Sequence, residues 1–232
     1  MFPTYAFLQC FFVAAALRLK VENQLPGGKT RSLQAILGMI RQPHWLIFAI
    51  TVFIVWFCGS GAISFLGIAL KGMGASDPLI GVVASSAAVF ELPFMAYNSW
   101  LLRKLGNRSM LWLATFGYVA RIGLYSLIRV PAWGIAVNAL NGVSYVFLWN
   151  SSISYANENA PQSLKATAQG LFVSTTALAG VASSAFSGML FDALGPSGLF
   201  RSLAAICVTA VILFGVFGRK PASIPTPLIS EG

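Results

Sequence analysis

Uninterrupted apolar runs constrain this chain more than any motif in it. A helix needs about 20 mostly apolar residues to cross the hydrocarbon core of a bilayer. Seven segments meet that need, the first only just: 2–17, 45–70, 79–102, 109–128, 131–155, 166–190 and 199–218. Hydrocarbon offers the backbone no hydrogen-bond partners, so such segments are helices. Composition agrees. Of 232 residues, 57% are hydrophobic and 9% are charged, against roughly 25% charged in soluble domains. So few charges cannot cover a water-facing surface. That excludes a soluble enzyme, a disordered tail and a disulfide scaffold. The fold class is an all-α polytopic membrane protein with seven predicted transmembrane helices.

The net charge of +9 follows the membrane rather than a nucleic acid. The basic residues sit almost entirely in short connections between apolar runs, with no basic face interleaved with aromatics. Eleven of the 15 Lys and Arg residues fall in 18–44, 103–108, 156–165 and the tail, while Lys71, Arg129 and Arg201 fall on the opposite side. That bias puts the larger group in the cytoplasm, with seven crossings running from outside to inside. The first segment has no basic residue before its apolar run and no evident cleavage site, so it reads as a span rather than a signal peptide. The glycosylation patterns Asn107-Arg108-Ser109 and Asn150-Ser151-Ser152 then fall in the cytoplasm and in the membrane. Neither is expected to be modified.

The domain plan is a first transmembrane helix (1–17), a basic cytoplasmic linker (18–44), a membrane bundle (45–218) and a disordered cytoplasmic tail (219–232). In the linker, Leu33, Ile36, Leu37 and Ile40 follow helical spacing and predict a short helix on the membrane surface, ended by Gln42-Pro43. The three cysteines, Cys10, Cys58 and Cys207, lie in apolar runs without metal-ligand spacing and read as small buried residues. His44 is the single histidine. No metal site, cofactor loop or hydrolytic triad is legible, so the chain is not read as an enzyme and no cofactor is expected.

Charge inside a span is costly and marks candidate chemistry. Glu91 lies at the centre of 79–102, and Arg121 lies a little outward of the centre of 109–128. Consecutive antiparallel helices bring the two to similar depth. They form either a static pair locking two helices or a proton-coupling or substrate-binding device; Arg121 reaching an interface by snorkelling is the third reading. Pro93 is positioned to kink the same helix. The fifth span carries Asn138, Asn141, Tyr145, Trp149 and Ser152 at spacings of 3, 4, 4 and 3, one helical face over four turns. That face is either cavity lining, suited to a sugar, nucleoside or aromatic acid, or helix–helix glue. Trp56, Ser60 and Ser64 form a weaker face of the same kind. Thr176, Gly180, Ser184 and Gly188 recur every four residues, a small-residue ladder for close helix packing.

The stretch Leu33-Gln-Ala-Ile-Leu-Gly-Met-Ile-Arg-Gln-Pro43, running into a long apolar helix, resembles the central loop entering the second half of a major facilitator superfamily transporter. Arg103-Lys104-Leu105-Gly106-Asn107-Arg108 is similar to that superfamily's short cytoplasmic signature. Lys104, Gly106 and Arg108 fit it; Ser99 stands for a glycine, Arg103 for the acid and Asn107 for a basic residue. The stretch from Tyr155-Ala-Asn-Glu-Asn-Ala-Pro161 through Lys165-Ala-Thr-Ala-Gln-Gly170 to Gly188-Met-Leu-Phe-Asp192-Ala-Leu-Gly195 resembles the branch of lactose permease-like, nucleoside–proton symporter-like and phenylpropionate permease-like proteins.

The resemblance implies a fold and a function. The last six helices would form one six-helix bundle of a secondary, proton-coupled carrier working by alternating access, with the solute site near the midplane. The segment 1–17 would be the sixth helix of a full transporter. A second six-helix bundle, from a self-dimer or a separately encoded first half, would supply the other wall. The expected partners are therefore the lipid bilayer, a small-molecule solute, protons and that second bundle, with no nucleic acid. The expected location is the plasma membrane, with a cytoplasmic C-terminus. The competing reading is a truncated, non-transporting membrane protein or a seven-helix receptor-like protein.

Overall fold

A computed structural model describes residues 36–217, all within one compact unit, Ile36–Gly232. The expected span 1–17, the linker up to residue 35 and the tail from 218 onward lie outside the described residues. Every regular element among the described residues is helical. Three stretches are long and apolar enough to cross a membrane: Pro43–Gly72, Asp77–Ala96 and Gln162–Phe217.

Residues 36–40 are helical, and that helix stops before Gln42. Gln42 is extended (φ −67°, ψ 130°) because the following proline ring disfavours the helical region. Pro43 then opens α1 (Pro43–Gly72), where its missing N–H costs nothing. At the other end Gly74 takes φ 87°. Its N–H bonds the Lys71 carbonyl at 2.9 Å, and Ala75 reaches back to Leu70 at 3.0 Å, a left-handed glycine closure of the helix. α1 is apolar all round, yet only one side is buried. Phe48, Val52, Val55, Cys58, Ala62, Leu66 and Ala69 face the core, while Ile50, Ile63 and Ile68 stay exposed.

α2 (Asp77–Ala96) buries only Val83, Ser86 and Ala87. The sequence predicts one helix over 79–102, but the helix breaks at Tyr97 (φ −95°, ψ 4°) and resumes as α3 (Asn98–Tyr125). The break falls one turn after Pro93, with the Tyr97 N–H still bonded to the Pro93 carbonyl at 3.1 Å. The expected connection 103–108 shrinks to one residue: α3 stays helical through Arg103 and Lys104 and breaks only at Gly106 (φ 75°, ψ 157°). That conformation is open to glycine alone.

The Gly106 break reverses the chain. Glu91 and Arg121 are equidistant from it in sequence, each separated by about 20 Å of helix. Val83 and Tyr125, on opposite sides of the break, both bond Asn138, which requires the two arms to fold back together.

The expected fifth span, 131–155, is not one regular helix either. It comprises α4 (Trp133–Asn138), a π turn over Gly142–Val146 and α5 (Phe147–Glu158). Close packing on α2 accompanies the irregularity. A Cβ on Gly142 would lie 2.1 Å from the Phe94 ring and 2.6 Å from the Phe90 carbonyl.

A 3-10 turn, Gln162–Leu164, leads into α6 (Lys165–Phe217). The sequence predicts two spans, 166–190 and 199–218, separated by a connection. Helical geometry instead continues up to Gly195 (φ 69°, ψ −178°) and restarts at Pro196. The first arm runs parallel to α1. The Ser183 hydroxyl donates to the Phe57 carbonyl at 2.6 Å, Ser187 meets Gly61, and Phe191 packs on Phe65. Gly195 reverses the chain. Ser187 and Leu203 are equidistant from it, and both lie against the Cβ position of Gly61. The second arm therefore runs antiparallel to α1, and α1 with both arms of α6 forms the centre of the core.

Candidate functional site: a carboxylate beside an aromatic recess

The polar stripe predicted on the fifth span divides into parts with different partners. At its N-terminal end Asn138 is buried and fully engaged. Its amide donates to the Val83 carbonyl at 2.6 Å and the Ser86 hydroxyl at 3.3 Å, and it accepts from the Tyr125 hydroxyl at 2.5 Å. One asparagine thus ties α2, α3 and α4 together, with no group left over for a solute.

One turn on, Asn141 stands at the entry to the π turn. Its buried amide donates to the Glu91 carboxylate. Glu91 itself is half-buried. Arg121 is 3% exposed, lies over the Tyr118 ring at 4.8 Å, and has no partner for its Nε. Glu91 and Arg121 do not form an ion pair here. The one salt bridge among the described residues is Lys71 with Asp77, at the surface. The carboxylate has an amide partner, and the guanidinium behind it has an aromatic face.

Beyond the π turn the stripe opens. Tyr145 and Trp149 are half-buried, with rings 14° apart in tilt and centroids 6.3 Å apart. Trp56 of α1 joins them at 5.9 and 5.6 Å, and Phe172 backs Trp149 at 5.2 Å. A recess of about 290 Å³ is lined by Met95, Asn98, Tyr145, Val146, Trp149 and Asn150. The Oδ1 of Asn98 has no hydrogen-bond partner, whereas Asn150 donates to the Val146 carbonyl at 3.0 Å.

Asn98 and Asn150 escape the sequence reading. Asn98 sits where a break follows Pro93, not within a continuous span. Asn150 is off the stripe by one position. A π turn carries an extra residue, so the face beyond it shifts and Asn150 joins Trp149.

The remaining candidates disperse. Ser152 is fully buried with an unpartnered hydroxyl, away from the recess lining. Ser60 is half-buried and Ser64 is exposed. In the ladder, Thr176 is buried, Gly180 and Gly188 are half-buried, and Ser184 is exposed with its hydroxyl turned onto the Gly180 carbonyl. Gly180 and Gly188 lie near Ser60 and Phe65 of α1, at 3.9 and 3.7 Å from their Cβ positions, and the closest approach runs through Ser183 and Ser187. In the cytoplasmic signature, Lys104 lies over the Trp100 ring at 4.8 Å, Gly106 makes the reversal, and Arg108 is half-buried.

Apolar helices of membrane-crossing length define an integral membrane protein. The chain matches the MFS_1 like family over residues 4–202 and belongs to it. It is thus a member of the major facilitator superfamily, which points to transport rather than enzymatic chemistry. It is also similar to major facilitator superfamily domain-containing protein 6-like protein B of Xenopus laevis. The two are 24% identical over 170 residues, which is 72% of this chain and 27% of that protein. The chain therefore spans about a quarter of that relative's length.

Proposed function

We propose that this chain is one bundle of a secondary carrier, a proton symporter that moves a small polar or aromatic solute by alternating access. The observation that carries this reading is Glu91: an intramembrane carboxylate held by the neutral amide of Asn141, beside a half-open aromatic recess. A carboxylate held by an amide and close to an unpaired guanidinium changes its protonation preference when those neighbours move. The resemblance of 155–195 to symporter-like proteins supports the same reading. The bundle consists of six crossings: α1, α2 with the start of α3, the rest of α3, α4 with α5, and the two arms of α6. In this reading Lys104 and Arg108 lie in the cytoplasm, as the bias of the basic residues favours, the C-terminus lies on the same side, and the location is the plasma membrane.

A second bundle completes the site. α2 is apolar along its length yet barely buried, and its exposed Gly81, Ala84, Ser85 and Ala88 are small residues at helix-contact spacing. A groove of about 520 Å³ runs along that face, past Gly81, Ser85 and Val89. Small residues of this kind suit another helix better than lipid.

The test is solute-driven proton uptake in vesicles carrying the protein, read with a pH-sensitive dye across a panel of sugars, nucleosides and aromatic acids. One solute class should drive uptake. Glu91→Gln should then abolish accumulation against a gradient while retaining exchange of bound solute. Accumulation at the unsubstituted rate in a well-expressed Glu91→Gln protein would remove the coupling role.

A further inference from the structure

One charge in this unit has no counter-charge. Arg121 is the one buried charged side chain among the described residues. Its Nε is enclosed without a partner, and the one salt bridge among those residues lies elsewhere, at Lys71 and Asp77. A helical side chain leans back toward the N-terminus of its helix. The guanidinium accordingly lies over the Tyr118 ring, one turn back, at 4.8 Å. That turn of α3 packs on the π turn: a Cβ on Gly117 would lie 3.3 Å from the Ser144 side chain. Further along α3, Tyr125 reaches Asn138. α3 therefore runs antiparallel to α4 and the π turn, and its Tyr118 turn is level with Ser144 and Tyr145. Tyr145 lines the recess. α2 runs parallel to the same stretch: Val83 meets Asn138, Glu91 meets Asn141, and Met95 borders the recess with Tyr145. Glu91 is one turn before Met95, and Asn141 is one turn before Tyr145. The guanidinium and the carboxylate thus stand at the same end of the recess.

We propose that the solute is a monoanion, an aromatic carboxylate, whose carboxylate takes the Arg121 guanidinium while its ring packs on Tyr145 and Trp149. This rests on the carrier reading above and narrows its solute to one class. Charge decides the class. Among the described residues Glu91 is the one carboxylate that is not exposed. With Glu91 ionised and the recess empty, its charge balances that of Arg121. With Glu91 protonated and a neutral solute bound, Arg121 remains as a net positive charge at membrane depth, which is costly. A sugar or a nucleoside leaves it so, and an organic cation adds to it. One carboxylate on the solute restores the balance and offers the guanidinium two acceptor oxygens. The Asn141 amide is already engaged with Glu91, and the Asn150 amide with the Val146 carbonyl, so the guanidinium is the donor left for an anion. Loaded and empty forms of the site are then both neutral, and one proton moves with each anion. The half-buried rings of Tyr145 and Trp149 supply the face for the solute's ring.

The test uses vesicles carrying the whole protein, with labelled hydroxyphenylacetate as the acid and hydroxyphenylacetamide as its neutral counterpart. A pH gradient, acid outside, should drive accumulation of the acid beyond that in protein-free vesicles. A potassium diffusion potential of either sign should leave that rate unchanged, because proton and anion cancel. The amide should not accumulate. In detergent the acid should raise the melting temperature, and the amide at the same concentration should not. Arg121→Gln should weaken binding of the acid about thirtyfold, and Arg121→Lys, which keeps the charge, should recover part of it. If neither variant folds, the comparison of acid with amide on the unsubstituted protein decides the same point. Equal binding of acid and amide, or a folded Arg121→Gln protein with unchanged affinity, overturns the role of Arg121. Uptake of the acid that an imposed potential speeds or slows overturns the one-to-one pairing of proton and anion. Proton-coupled uptake of a sugar or nucleoside, with none of the acid, overturns the anion and leaves the carrier reading standing. Neither uptake nor binding of any of these solutes overturns both.

Discussion

The two ends of one polar stripe, separated by a π turn, have opposite characters. At the Asn138 end, every polar group of the amide has a partner from α2 or α3. At the Tyr145–Trp149 end, aromatic rings stand half-open around a recess, and the Asn98 carbonyl oxygen has no partner. Residue type does not distinguish the ends, because asparagines occupy both. What differs is packing: α2 presses its Val83–Ser86 turn onto the first end, while at the second Met95 and Asn98 border an open recess. An amide on a membrane helix is glue where a neighbour answers it and a binding group where none does. Asn141 stands between the two regimes, itself buried but holding a carboxylate that is not.

Substitutions can break or sharpen this contrast. The largest effect is expected at the division itself. Gly142→Val drives a side chain into the Phe90 carbonyl and Phe94 ring, costing about 3 kcal/mol, and should remove the monodisperse peak in gel filtration. Asn138→Leu strands the Tyr125 hydroxyl and the Val83 carbonyl. It should lower stability by about 2 kcal/mol in a thermal melt, with transport per folded molecule unchanged. Lost transport at unchanged stability would move Asn138 into the site. At the open end the balance reverses. Trp149→Ala should weaken binding of the transported solute about tenfold, about 1.4 kcal/mol, measured by solute-dependent thermal shift. Asn98→Ala should weaken binding about fivefold, about 1 kcal/mol, with the melting temperature of the free protein unmoved, since that oxygen bonds nothing now. The smallest effect is on the ladder. Ser183→Ala, which loses the bond to Phe57, should cost about 1 kcal/mol, and Ser184→Ala on the exposed side about 0.5 kcal/mol or less.

Apolar spans are legible because hydropathy is additive along a helix and needs no knowledge of neighbours. Their interruptions are not. Gly106 and Gly195 are two of 22 glycines, and nothing local marks them as ones that reverse the chain at positive φ. They do so because the arms on either side pack against common partners, Gly61 in the second case. The stripe was legible as periodicity, but the π turn shifts its register, so Asn150 enters and Ser152 leaves. The small-residue ladder was legible as a composition, and its Gly180 and Gly188 lie near α1, while the closest contacts lie one position away, at Ser183 and Ser187. Glu91 and Arg121 were legible as costly charges; Asn141, the partner of the first, comes from elsewhere in the chain, while Tyr118, beside the second, lies one turn back on the same helix.

The sequence by itself determined that this protein is helical and lies in a membrane, because burying bare backbone in hydrocarbon permits nothing else for runs this apolar. It also determined that its few intramembrane charges and amides would matter, because each is costly to leave unanswered. Only the tertiary structure decided which of them are answered. Partnership depends on the approach of helices distant in sequence, and that approach is set by a few close-packed glycines and by where the break after Pro93 and the π turn bend the chain.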